Sequence, residues 1–433
     1  AWDKSIASSF SRMYWCDIPR ADAFIASMLE PSVAKTWDGL KTTKEDLGMF
    51  SIQITAGQRG YYHIVAGLQY SPFQQKEDGS LWRTNVGALV ERSPAIVKNH
   101  TNGTNEILVE DVNQTIHLIG STGKILWSRK IDEPILGTVH QVDRFRNGKL
   151  QLLFNTADRL YLIDRNGKDV GSFPVRLPEA TAVPIAVFDY ENDRDARIIV
   201  ATAEGKIFNF NLDGTEVKGW EKPELGAGAA CQVHHLRIKN KDYLIIADQN
   251  GQVHIFDRKG SIRERTALTL GQEPSIERIV PGNDIMTSSI FWTDTAGALQ
   301  QGSFGGPVVP LSPPQTSGSF SSLDIDDDGV LELVRIQDDL LEISGAGRSI
   351  LQRTFGSPLG SPSKIGKGTI AILRSTEGLV HLLDINGNDL PGSPFEGMLP
   401  PVIADLNLDG IPELITVDRN GSVVAYGLPA QSQ

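Results

Sequence analysis

Asp405-Leu-Asn407-Leu-Asp409-Gly410-Ile-Pro-Glu413-Leu414-Ile-Thr-Val417-Asp-Arg-Asn420-Gly421-Ser-Val423-Val424-Ala-Tyr426 carries three signals in one unit. An oxygen-rich loop, Asp-x-Asn-x-Asp-Gly-x-x-Glu, comes first. An aliphatic strand, Leu414 to Val417, follows it. Asn420-Gly421 then tolerates the positive φ of a tight hairpin turn, and Val423 to Tyr426 return as a second strand. One such hairpin cannot bury its apolar faces alone, so the unit calls for copies of itself.

The copies run along the chain. The first residue of the second strand, two residues after the turn, serves as a marker, at Ile116, Leu160, Ile207, Val253, Leu299, Leu341, Val380 and Val423. These markers recur every 39 to 47 residues, the length of a four-stranded propeller blade. A strand precedes each marker, as in Glu106-Ile-Leu-Val, Arg197-Ile-Ile-Val and Tyr243-Leu-Ile-Ile. A second turn follows it, as in Asp164-Arg-Asn-Gly167 and Asp257-Arg-Lys-Gly260, and leads to an outer strand. The last unit ends without one. Residues 79–87, with Gly79-Ser-Leu-Trp82, resemble the missing piece and are expected to close the ring, which removes an exposed sheet edge. The expected fold is all-β, an eight-bladed propeller over 79–433, with a small α/β segment over 1–78. Seven blades is the alternative, should the Leu299 or Leu341 unit merge with a neighbour.

Residues 1–78 differ in texture. Helical spacing is read over Asp22 to Leu29 and over Val33 to Leu40. Phe50-Ser-Ile-Gln-Ile-Thr and Tyr62-His-Ile-Val-Ala-Gly-Leu read as a hairpin with no sheet of its own to join. The start at Ala1-Trp2, without Met, reads as processed or truncated. The segment is therefore an appendage or the tail of a larger domain.

Composition narrows the function classes. The formal charge is −12, from 53 acidic against 41 basic residues, which argues against nucleic acid and anionic membranes as partners. No apolar run reaches the ~18–20 residues of a membrane span. Two cysteines, Cys16 and Cys231, read as separate thiols rather than a disulfide framework.

The chemistry-bearing motif is the Asp-rich loop. It is complete twice, at Asp324, Asp326, Asp328, Gly329 and Glu332, and at Asp405, Asn407, Asp409, Gly410 and Glu413. Alternate side chains of a tight loop converge on one point, and a hard cation such as Ca²⁺ takes six to eight oxygens. A structural calcium is the expected cofactor at both. Ion-free turns are the competing reading, because the frame persists where the ligands fade, at Lys98 to Glu106 and Asp143 to Gln151. A third copy, Asp189-x-Glu191-x-Asp193, has Arg194 in the Gly position and Arg197 in the last; guanidinium there is expected to replace the metal. These loops are expected on the rim away from the partner face.

No catalytic residues are assigned. There is no phosphate loop and no nucleophile elbow. His117, His254 and His381 each follow a marker, which points to a repeated structural slot. Trp127 and Trp220 lie on or after outer strands and are expected to pack between blades. The acid and base candidates at a channel mouth are Arg92, Glu133, Arg176, Glu179, Glu224, Glu273 and Glu396.

Two resemblances meet in the repeats. The loop followed by Glu-Leu/Ile-x-Val resembles the FG-GAP or VCBS-type repeats of integrin-like propellers. Asn250-Gly-Gln-Val-His-Ile-Phe-Asp-Arg-Lys-Gly260 and the Gly-Lys-x-x-Trp127 ending resemble the PQQ-type repeats of quinoprotein-like propellers, without the adjacent cysteines of the quinoprotein dehydrogenases. Together they cover roughly 79–428. They imply an extracytoplasmic home, periplasmic or at the cell surface, with a lipid anchor among the options for the full-length protein. The favoured function is a non-catalytic binding or scaffold propeller, with protein or polysaccharide at its rim. Two alternatives stay open: a calcium-dependent polysaccharide lyase or glycosidase, and an envelope-assembly lipoprotein-like partner binder.

Overall fold

The computed structural model describes residues 12–17, 30–31, 47–56, 62–70, 79–295, 298–311, 319–345 and 348–428. The chain divides into two compact units, Ala1–Trp82 and Arg83–Gln433.

In the first unit, Arg12–Asp17, Leu47–Ala56 and Tyr62–Tyr70 form one antiparallel sheet. The expected hairpin is present, but it does have a sheet to join. Arg12–Asp17 pairs along it from Arg12 opposite Ile54 to Asp17 opposite Met49. That strand carries one charged residue at each end of Met-Tyr-Trp-Cys and shows no clean alternation, so periodicity did not flag it. The α/β description of this segment is not supported: the described elements are strands, and the expected helices over 22–29 and 33–40 lie outside the described residues.

The second unit is an eight-bladed propeller whose strands run a to d from the ring's centre outward. Blade 1 is Ala95–Lys98, Asn105–Glu110, Thr115–Ile119 and Ile125–Lys130. Blade 2 is Leu136–Val142, Gln151–Asn155, Arg159–Ile163 and Val175–Arg176. Blade 3 has Ala186–Phe188, Arg197–Ala201 and Ile207–Asn211, with its outer edge reduced to the bridges Lys206↔Glu224 and Phe210↔Glu216. Blade 4 is His234–Ile238, Lys241–Ala247, Val253–Phe256 and Ile262–Glu264. Blade 5 is Ser275–Val280, Ser289–Thr293, Leu299–Ser303 and Val308–Pro310. Blade 6 is Ser319–Leu323, Glu332–Gln337, Leu340–Gly345 and Arg348–Thr354. Blade 7 is Ser363–Gly366, Thr369–Arg374, Leu379–Asp384 and Phe395–Glu396. In blade 8, Val402–Ala404, Glu413–Val417 and Val423–Gly427 are followed in the sheet by Ser80–Thr84. Every marker residue sits on a strand c, and neither the Leu299 nor the Leu341 unit merges with a neighbour.

The core lies in the seams. Strand alternation sends successive side chains to opposite faces, so each blade feeds two seams. Leu153, Leu160 and Leu162 of blade 2 pack on Ile198, Phe208 and Phe210 of blade 3. Tyr243, Ile245 and Ile255 of blade 4 pack on Ile290 and Trp292 of blade 5. Trp127 and Trp220 do pack between blades: the Trp127 indole donates to the Arg165 carbonyl of blade 2 at 2.7 Å, and Trp220 joins the cluster of blades 3 and 4.

The turns from b to c hold this geometry. Asp248 Oδ1 accepts the backbone N–H of Asn250 and of Gln252, which fixes Gly251 at φ +82°. A Cβ at Gly251 would lie 1.8 Å from the Gly271 carbonyl oxygen. Gly148 has the same φ, +82°, and open space around it. Gly148→Ala is expected to cost about 1 kcal/mol of left-handed strain, and Gly251→Ala about 3 kcal/mol because overpacking adds to it. Urea melts of the two variants against the parent measure the difference.

Candidate functional site

The loops from strand a to strand b share one backbone form. The fourth residue of the loop is left-handed in blades 2, 3, 6 and 8, at Arg146, Asn192, Asp327 and Leu408. The sixth is left-handed too, at Gly148, Arg194, Gly329 and Gly410. The first Asp holds that form by accepting backbone N–H groups. Asp405 accepts from Asp409 and Gly410, Asp143 from Asn147 and Gly148, and Asp189 from Asp193 and Arg194. The turn therefore forms whatever charge it encloses.

The enclosed charge differs by blade. In blade 1, Glu106 is buried and the Arg165 guanidinium from the c–d turn of blade 2 reaches it, with Arg165 Nε 3.1 Å from Glu106 Oε2 and a second bond from Nη2. In blade 2, Arg194 of blade 3 donates to Asp143 Oδ2 at 2.8 Å. Burial pushes the Asp143 carboxyl up, but the bonds from Gly148, Asn147 and Arg194 outweigh it and hold it below its usual range. In blade 3, Arg197 pairs with Asp195 at 2.8 Å and Arg258 of blade 4 with Glu191. Guanidinium thus supplies the positive charge in these three loops; in blade 3 it reaches Glu191 from Arg258 of blade 4, while Arg197 pairs with Asp195 and Arg194 with Asp143 of blade 2 rather than with the Asp189, Glu191 and Asp193 set.

Blades 6 and 8 lack it. Ile385 stands in the blade 7 turn where Arg165 stands in blade 2, and it packs on the cluster of blades 6 and 7. In blade 6 the structure brings Asp324, Asp326 and Glu332 together, with one oxygen from each inside a 4.8 Å span. Asp328 is exposed and accepts the Val330 N–H. Lys364 donates to the Asp324 backbone carbonyl and to the Asp327 carboxylate, not to a carboxylate of that trio. Glu332 is buried and accepts the Ile325 N–H. Burial raises its carboxyl, and Asp326, Asp328 and Asp324 raise it further.

In blade 8 the ligands are less gathered. Asn407 Nδ2 donates to Asp409 Oδ2 at 2.8 Å, and Asp409 Oδ1 accepts the Ile411 N–H. Glu413 is buried and accepts the Leu406 N–H at 2.7 Å. Burial, then Asp409 and Asp405, push it up to about 7. Among the described residues no cation pairs with Glu332 or Glu413. The missed signal was the second residue of the following blade's c–d turn: Arg165 there matches an acid at Glu106, and Leu212 matches the neutral Gln151.

The channel-mouth candidates are engaged separately. Arg92 bonds Glu110 at 2.9 Å, and Glu396 accepts from Arg83 at 3.0 Å. Glu179 takes Lys206, and that bond holds its carboxyl low. Glu133 accepts the Asp158 N–H. Arg176 lies opposite Arg159 on the edge of blade 2, Glu224 bridges Lys206, and the Glu273 N–H donates to the Gln249 carbonyl. The histidine slot is structural in two blades: His117 bonds Asp111 at 3.2 Å and His254 bonds Asp248 at 3.0 Å. His381 instead bonds Asp389 at 2.6 Å. Burial pushes the free Cys231 thiol up to about 11 and His234 down to about 4, so both are neutral at pH 7.

The family model described as "Outer membrane protein assembly factor BamB" matches residues 71–280. Over that stretch the blades match PQQ-type repeats. No curated protein matches the sequence. Among solved structures, the quinohemoprotein alcohol dehydrogenase from Comamonas testosteroni aligns at 12% identity and TM-score 0.52, over 81% of this chain and 77% of that one. The computationally designed Ika8 protein aligns at 12% and 0.52, over 80% and 99%. BamB from Moraxella catarrhalis aligns at 16% and 0.48, over 80% and 97%. These structural likenesses concern the fold alone.

Two outcomes are expected. Arg165→Met leaves the Glu106 charge buried and unpaired and should cost about 3 kcal/mol; adding Glu106→Leu should restore most of it, read by denaturant melts. Glu413 has a folded pKa raised above its usual 4.5 to about 7. Its stabilising contribution is complete below that usual value and lost as pH rises through about 7. In chelator, melting temperature should fall across that window, and Glu413→Gln should flatten the fall.

Proposed function

We propose that this propeller is an extracytoplasmic scaffold that binds protein partners through its rim without catalysis, and that its two complete Asp-rich loops hold structural calcium. The observation that carries the scaffold reading is the match of 71–280 to a family described as an outer-membrane assembly factor. Among the described residues no helix is long and apolar enough to cross a membrane.

The a–b rim is the docking face favoured by surface chemistry. Phe145, Met286, Val330, Leu408 and Ile411 are all large, apolar and exposed, and all lie in a–b loops. Leu408 is also left-handed at φ +64°, a costly place for a leucine. We favour it over the opposite rim, where among the described residues only Leu89 and Val112 are large, apolar and exposed near the b–c turns.

Calcium fits the blade 6 loop through the oxygens of Asp324, Asp326 and Glu332, with Asp328 as a further donor. Asp405, Asn407, Asp409 and Glu413 would serve in blade 8. A bound ion would offset the carboxylate repulsion that raises Glu332 and Glu413. It would also order the loops that carry Val330, Leu408 and Ile411.

Two measurements test this reading. Calcium should raise the melting temperature over chelator, the stabilisation being ~2.7 kcal/mol per site at a hundredfold excess over Kd. Asp328→Ala and Asp409→Ala should each remove part of the gain, roughly additively. Identical melts in calcium and chelator would reject the ion. Separately, the full chain should capture a protein from the native envelope, and Leu408→Asp with Phe145→Asp should lose it. Capture unchanged by that pair rejects this rim, and turnover of a polysaccharide panel would reject the non-catalytic role.

A further inference from the structure

Cross-blade bonds fix one edge of a cavity at the a–b rim. Lys98 ends strand a of blade 1, and Gln141 of blade 2 clamps its backbone from both sides. Gln141 Oε1 accepts the Lys98 N–H at 2.7 Å, and Gln141 Nε2 donates to the Lys98 carbonyl at 3.0 Å. The Leu150 N–H of blade 2 donates to His100 Nδ1 at 3.2 Å. A neutral ring whose one nitrogen accepts carries its proton on the other, so His100 Nε2 is a donor. The Lys98 and His100 side chains line a cavity of about 590 Å³ that runs past the a–b loop of blade 2 to blade 3. Its volume lies within the roughly 300–1,000 Å³ of ligand sites.

The apolar part of the lining belongs to blades 2 and 3. Val142, Ala196 and Leu212 are buried there, and Leu150 and Val187 are half-buried. The charged part is Lys98, Asp143, Asp189 and Arg194. Asp143 and Arg194 pair at 2.8 Å, and Asp143 also accepts the Asn147 and Gly148 N–H groups. Asp189 accepts the N–H groups of Asp193 and Arg194. Lys98 is exposed, and among the described residues neither its ammonium nor His100 Nε2 has a partner. The formal charges of the lining thus cancel, but they stand apart. The unpartnered donors are on blade 1, and Asp189, already holding two N–H groups, is on blade 3 with blade 2 between.

We propose that this cavity docks a partner-protein segment in which an apolar side chain stands next to a carboxylate. The apolar group packs on Val142, Leu150 and Val187, and the carboxylate accepts from Lys98 and His100. An ionised acceptor suits that pair because charge-assisted bonds are the stronger ones. Phe145, exposed on the same loop as Asp143 and Gly148, offers further apolar contact beside it. The proposal rests on the scaffold reading above and gives that reading a place and a partner chemistry.

The probe is acetyl-Asp-Leu-amide, titrated into the full chain and followed by broadening of the peptide's proton NMR lines. Saturable binding is expected. Acetyl-Asn-Leu-amide should bind about fivefold more weakly, the size of one exposed ion pair. Acetyl-Asp-Gly-amide should bind at least about tenfold more weakly, for the lost apolar burial. Lys98→Met changes an exposed side chain and should melt like the parent, while bringing acetyl-Asp-Leu-amide down to the affinity of acetyl-Asn-Leu-amide. Val187→Phe fills the apolar part and should abolish binding of both. Absence of saturation, equal binding of the three peptides, or an undiminished preference for Asp in Lys98→Met overturns the proposal. So does tighter binding of a uronate disaccharide than of the peptide, which would assign the cavity to polysaccharide. If Lys98→Met/Val187→Phe loses the peptide but still captures the envelope partner, this proposal falls and the scaffold reading stands. If the peptide binds as expected and the parent captures no envelope partner, the cavity stands and the scaffold reading falls.

Discussion

No blade of this ring can bury both of its faces alone. Four short strands make a sheet with two apolar sides, and each side is covered only by the next sheet around. That constraint explains why the buried clusters straddle blade pairs, such as Leu162 against Phe208 and Phe210 or Leu382 against Val424 and Tyr426. It also explains why the turns are so strictly built. A blade must present its alternate side chains to the left and right neighbour without slipping by one residue, because a slip would exchange the two faces. The Asp248 and Asp418 carboxylates, each accepting two backbone N–H groups two and four residues on, hold that register.

The second layer of organisation is electrostatic. One loop form encloses very different charges, and the neighbouring blade supplies the countercharge where it can. Arg165 serves Glu106, and Arg194 serves Asp143. Where the neighbour offers Ile385, the Asp324, Asp326 and Glu332 carboxylates are left to one another, while Lys364 of blade 7 pairs with Asp327. Guanidinium answers this local problem in blades 1 to 3, and the divalent cation proposed for blades 6 and 8 would answer it there on the same backbone form. This makes the Asp-rich loop a poor marker of function and a good marker of blade position.

The fold was legible because its signals are local. The spacing of markers, the Asn-Gly and Asp-x-x-Gly turns and the β-branched runs all lie within a few residues of one another. The Gly79-Ser-Leu-Trp82 fragment was legible only as a piece missing from the end, and the structure places Ser80–Thr84 in that sheet beside Val423–Gly427. What escaped was tertiary. Arg12–Asp17 has no alternation to announce it, and the partner of Glu106 lies 59 residues away in sequence. The acids of the two complete loops were found, but whether they meet depends on side-chain partners: Asp324, Asp326 and Glu332 do, whereas Asn407 turns to Asp409.

Ser80–Thr84 has a consequence for how the protein is made. Arg83 is bound to Asp418, 335 residues further along the chain. The first propeller strand to leave the ribosome therefore has no partner until the last blade emerges. At roughly 5–20 residues per second, that interval is on the order of tens of seconds. Throughout it, an apolar strand edge with Trp82 on it lacks its native neighbour, while blades 1 to 7 stack outward from a ring that is still open. Newborn chains of this kind are most exposed to misassembly and to holding factors in that interval, before the two ends of the ring meet.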